Sequence, residues 1–201
     1  MLAGVMAVSM LAGCSGKSED KPAEGNDNNS QATGVSASFA NYLSESNVKF
    51  SDNTTYQTFL SDAIADEDLD YRFLGNVTDV KAATGSVYAA IKKDFALNVV
   101  DFDDTRIEDF NPNKNSTDNT YMTLYTVPGE VSRDIALKQV ASKLNTALSK
   151  TTLPNYADAS NNKQYNYAYT GSVSVQKVED GSASAWYVLV TVSIDATEAK
   201  K

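Results

Sequence analysis

Two runs near the C-terminus constrain the fold most. Tyr165, Tyr167, Tyr169, Val173 and Val175 recur on alternate positions, as do Trp186, Val188, Val190, Val192 and Ile194. A period of two is the signature of a β-strand, and aromatic and β-branched side chains suit a pleated surface. Between the runs stands Glu179-Asp180-Gly181-Ser182. An Asp-Gly turn between alternating runs predicts an antiparallel hairpin. One face of that hairpin must be covered.

The cover is close in sequence. Ala136, Leu137, Val140, Ala141, Leu144, Ala147 and Leu148 follow a 3.6-residue period, with Lys138, Lys143 and Lys150 outside the stripe. This predicts a helix over about 130–150, capped by Ser132 and stopped by Leu153-Pro154. Upstream, Asp52-Asn53-Thr54 is a helix start, and Tyr56, Phe59, Leu60, Ala63 and Ile64 form one apolar stripe ending in Asp66-Glu67-Asp68. A further helix is predicted over about 79–97, capped by Thr78, with Val80, Val87, Ile91 and Phe95 on one face. Gly85 inside it costs about 1 kcal/mol against alanine. Residues 35–48 predict a short helix or strap, 120–127 a strand, and Val99-Val100 with Phe102 a short strand. Asn111-Pro112-Asn113 marks a loop, as does the polar stretch 155–163, and residues 197–201 are expected to fray. The fold class expected is α+β: a small antiparallel sheet, led by the C-terminal β-hairpin, packed against two to four helices.

Composition excludes much chemistry. The chain has no histidine and one cysteine. That removes Ser-His-Asp and Cys-His catalysis, histidine-ligated zinc and any internal disulfide. Its net charge of −9 repels phosphate backbones and anionic headgroups, so nucleic acid is not an expected partner.

The single cysteine lies in Leu11-Ala12-Gly13-Cys14, which closes the apolar run 2–12 and opens a polar tract. The motif resembles the lipobox of bacterial lipoproteins, where signal peptidase II cuts before a cysteine that is lipidated. The resemblance implies a signal peptide over 1–13, a lipid attached at Cys14 and an extracytoplasmic, membrane-anchored protein. No Lys or Arg precedes Lys17, so the basic head of such signals is missing and the N-terminus is expected to be incomplete. The twelve residues 2–13, two of them glycine, are too few to span about 30 Å of hydrocarbon. Two acyl chains anchor stably where one is marginal. Residues 15–34 hold no large apolar side chain and are read as a flexible tether. Its average reach is about 25 Å, and about 70 Å when pulled straight. Residues 35–201 form the single expected domain.

Candidate sites in that domain are few. Asp101, Asp103 and Asp104, with Glu108 and Asp109, form the densest ligand set, and oxygen donors suit Ca²⁺. An EF-hand loop needs glycine at its sixth position, where this chain has Arg106; a solvated turn is the alternative, and no metal is assigned. Ser46 and Lys49 have the spacing of a Ser-Lys dyad but sit in a polar stretch. No phosphate-binding glycine motif appears, and no cofactor is expected. Tyr165, Tyr167 and Tyr169 are the candidate binding residues. They are either an aromatic contact row for protein or glycan, or a roof on the core. The sequence thus reads as a lipid-anchored, non-enzymatic binding or interaction module at the cell envelope. One alternative is an envelope-assembly or structural lipoprotein partnering a membrane protein. Another is a carboxylate-dependent enzyme acting on glycans.

Overall fold

A computed structural model of the chain describes residues 34–66, 77–95, 99–101, 119–158 and 164–199. In chain order the elements are α1 (Val35–Ala40), β1 (Val48–Phe50), α2 (Thr54–Asp66), β2 (Lys81–Ala82), α3 (Ser86–Asp94), β3 (Val99–Asp101), β4 (Asn119–Pro128), α4 (Arg133–Leu144), β5 (Tyr156–Asp158), β6 (Gln164–Asp180) and β7 (Ala183–Glu198). The class is α+β, and the sheet runs β1-β6-β7-β4-β2, with β3 also on β4 and β5 also on β6.

The hairpin is the spine of this sheet. β6 and β7 pair from Tyr165 with Glu198 to Asp180 with Ala183. Gly181 turns between them at φ 58°, a left-handed conformation that suits glycine. The strand pairing extends beyond the expected end: Thr197 and Glu198 are paired, and Ala199 N–H donates to the Gln164 carbonyl at 2.7 Å. β4 lies antiparallel to β7. The sheet is mixed rather than wholly antiparallel, because short β1 runs parallel to β6 and short β3 parallel to β4. Strands of three residues carry too little alternation to reveal a partner or a direction.

Both faces of the sheet are covered. On face one, Tyr167, Tyr169 and Val173 join Val188, Val190 and Val192 against Phe39 of α1 and Leu137, Val140 and Leu144 of α4. On face two, Met122, Leu124, Tyr187 and Leu189 meet Leu60 and Ile64 of α2 and Val87 and Ile91 of α3. β4 and β7 therefore feed two cores from alternate positions.

Two helices differ from expectation. α3 starts at Ser86, not near 79. Gly85 is its N-cap, with extended φ −82° and ψ −158°, and the preceding Lys81–Ala82 pairs with Thr126 and Tyr125 of β4. Val80 packs toward face one while Val87 and Ile91 fill face two, so the presumed single stripe is divided between the cores. α4 starts at its expected cap, where Ser132 Oγ accepts from Ile135 N–H at 3.3 Å, but ends at Leu144. The next residue, Asn145, accepts from both Ser44 N–H and Ser44 Oγ at 2.9 Å. Ala147 and Leu148 still reach the core, through turns.

The outer edge of β6 is closed by side chains where β1 ends. Ser36 Oγ accepts from Val173 N–H at 2.9 Å and lies 3.4 Å from the Val173 carbonyl. Gln57 Oε1 accepts from Val175 N–H at 3.2 Å, and its Nε2 lies 3.5 Å from the Val175 carbonyl. These bonds replace a missing strand and block edge pairing. Asp52 supports the arrangement by accepting from Ser36 N–H at 2.8 Å, leaving Asn53 to cap α2 through Tyr56 N–H at 3.2 Å. Gly171 lets β1 approach, since a Cβ there would lie 2.7 Å from Phe50 Cε1. Ser36 is fully buried, so Ser36→Ala strands the Val173 N–H. It should cost about 1–3 kcal/mol in urea unfolding, against a change within about 0.5 kcal/mol for the exposed Thr58→Ala. Equal midpoints for the two variants would show that the edge is satisfied in another way.

Candidate functional site

The register of β6 on β7 decides the standing of the tyrosine row. Tyr167 lies opposite Ala196, Tyr169 opposite Ile194, and Lys177 opposite Trp186. The tyrosine and tryptophan rows thus share face one, which α1 and α4 cover. Tyr167 is 5% exposed and Tyr169 2%, while Tyr165 is half-buried against the same core. Their rings stack at 6.4 Å and 6.3 Å between centroids. Tyr169 donates to the Pro154 carbonyl at 2.7 Å. Tyr167 and Tyr169 thus roof the core, the second of the two readings, with Tyr165 half-buried beside them. Burial pushes the Tyr169 phenol far above its ordinary value, with the neighbouring Tyr167 adding to the shift, and raises Tyr167 and Tyr187 as well.

The other sequence candidates fall elsewhere. Cys14 and the tether to residue 33 lie outside the described residues. So do Asp103, Asp104, Glu108, Asp109, Phe102 and the loop at Asn111. Asp101 ends β3, and only its backbone is described. Among the described residues no group of three His, Cys, Asp or Glu is placed to hold a metal ion, and no helix is long and apolar enough to cross a membrane. Ser46 Oγ accepts from Val48 N–H at 3.2 Å, a turn contact with Lys49 on the strand that follows.

Two open depressions lie among the described residues. One, of about 310 Å³, is lined by Ala40, Leu43, Ser44, Glu45, Ser46, Val48, Phe50 and Lys150. Its charged groups neutralise each other, since Lys150 Nζ lies 3.6 Å from Glu45 and both are exposed. The other, of about 380 Å³, lies between the β2 approach and α4 and is lined by Thr78, Asp79, Val80, Pro128, Gln139, Ser142 and Lys143. Asp79 pairs with Lys81 at 3.3 Å. Each depression holds one carboxylate, so neither presents the facing pair that glycoside hydrolysis uses.

Sequence reasoning did not anticipate the polar seam on face two. Ser172 and Thr191 are buried and share a hydrogen bond of 2.8 Å, and Thr120 and Ser193 share another of 2.8 Å. The signal was present as Thr170, Ser172 and Ser174 at the positions between the tyrosines and valines. It also left open what the outer surface of α4 offers: Ile135, Lys138, Ser142 and Lys143 all face solvent. No protein-family model, no curated protein and no solved structure matches the chain.

Proposed function

We propose that the chain is a lipid-anchored extracytoplasmic lipoprotein whose domain serves as a non-enzymatic binding or interaction module at the cell envelope. The observation that carries this reading is Leu11-Ala12-Gly13-Cys14, with an apolar run before it and twenty residues without a large apolar side chain after it. A lipidated cysteine holds the domain at the membrane, and the tether gives it reach. An interaction role is supported over catalysis by the linings of the two depressions, each with a single carboxylate already near a lysine.

Cys14→Ser tests the anchor. In cells fed a labelled fatty acid, the unaltered chain should carry label and sediment with membranes. The variant should lose both while its domain stays folded, because Cys14 precedes the domain. Label retained in the serine variant would contradict the reading.

A further inference from the structure

We propose that the outer face of α4 is the surface by which the tethered domain lies against anionic headgroups of the membrane that anchors it. The inference rests on the lipid-anchor reading above. The tether joins the domain at α1, and α1 packs beside α4 on face one of the sheet. The point of attachment and α4 therefore belong to one layer.

That layer offers what an anionic bilayer binds. Lys138 and Lys143 are exposed and have no ion-pair partner among the described residues. Arg133 lies 3.9 Å from Asp134, and both are open to solvent. Asp134 is the one acid in α4. Ile135 is 48% exposed, one of two large hydrophobic residues so placed among the described residues. An exposed apolar side chain amid lysines suits the headgroup boundary. The opposite layer differs: α2 and α3 together carry Asp62, Asp66 and Asp94 against Lys92 and Lys93, so acids outnumber bases there.

The net charge of −9 does not forbid this contact. Screening confines the membrane's field to about 8 Å at physiological salt. Helix and sheet layers are each about 10 Å thick, so the α2 layer lies beyond that field when α4 faces the surface. Each lysine near an anionic leaflet contributes about a five-fold bias. Two lysines would hold a free protein poorly. A tether of about 25 Å keeps the domain at millimolar effective concentration, where weak contacts suffice.

Cys14 is the chain's single thiol and Trp186 its single tryptophan, which makes the test direct. The full chain is coupled through Cys14 to a maleimide lipid in vesicles, so docking is read whether or not cells acylate the cysteine. Trp186 donates its indole N–H to the Val131 carbonyl at 3.0 Å, close to the start of α4, and reports approach to headgroup spin-labelled lipids by quenching. Quenching should appear on vesicles rich in phosphatidylglycerol and fade with salt. In Lys138→Gln with Lys143→Gln, the docking constant should fall about 25-fold. Lys93→Gln, on α3, should leave it unchanged. Equal quenching in the double variant, or on purely zwitterionic vesicles, would overturn the docking surface. It would leave the anchor standing, since acyl labelling of Cys14 tests that separately.

Discussion

Leu189→Ala is expected to lower the stability of the domain by about 2–5 kcal/mol, and Val190→Ala, its neighbour on the other face, to lower it as well. Both residues are fully buried, as is Val188 before them. Leu189 belongs to the core between the sheet and α2 and α3, whereas Val190 belongs to the core beneath α1 and α4. A sheet wet on one face would give alternating costs along the strand. A sheet covered on both faces gives consecutive costs. A domain of this size carries about 5–15 kcal/mol in all, so the leucine change alone removes a large share. The melting temperature should fall by about 2–4 °C per kcal/mol. Urea unfolding followed at Trp186 and by far-UV circular dichroism checks both variants. A loss below about 0.5 kcal/mol at Leu189 would contradict a packed second face.

Alkaline pH is expected to unfold the domain, and the buried tyrosines set where. Tyr169, Tyr167 and Tyr187 are acids whose folded pKa lies above the ordinary 10.0 because burial disfavours the phenolate. Such a group contributes its full stability below pH 10 and loses it as pH rises toward the folded pKa. Stability should thus be insensitive to these tyrosines up to about pH 9. Above pH 10 each such group removes up to about 1.4 kcal/mol per pH unit. The exposed ion pairs Asp79–Lys81 and Glu45–Lys150 are each worth under about 1 kcal/mol. Urea midpoints at pH 8, 9, 10 and 11 test the slope. Phenolate absorbance of the buried rings should rise together with unfolding. Tyr169→Phe should flatten the slope while costing about 1 kcal/mol at neutral pH, through the lost bond to the Pro154 carbonyl. A midpoint constant from pH 9 to pH 11 would contradict the assignment.

The two faces explain what could be read in advance. The alternation of Tyr165, Tyr167 and Tyr169 and of Trp186 to Ile194 marked the hairpin and its one apolar row. The row of Ser172, Ser174 and Thr191 carried no such signal, because hydroxyls are ambiguous between water and a buried partner. The run Val188-Leu189-Val190, apolar at every position, was the signal for burial on both sides. The α3 boundary was misread because Val80 and Val87 keep a helical spacing although they serve opposite faces. Of the candidate binding residues, the tyrosines were legible as strand residues only. Their exposure depended on register, which a period of two leaves open by sign.

By itself the sequence determined the local matters: a hairpin turning at Asp180-Gly181, a helix starting at Ser132, no histidine chemistry, and a lipobox-like cysteine ahead of a polar tether. Those follow from short-range periodicity, caps and composition, each readable within a few residues. Tertiary structure alone decided the long-range matters. It placed β1 parallel beside β6, put Ser36 and Gln57 on the open edge of that strand, turned Tyr167 and Tyr169 inward and left Lys138 and Lys143 outward on α4. Those depend on contacts between residues as far apart as Ser36 and Val173, and no local pattern carries them.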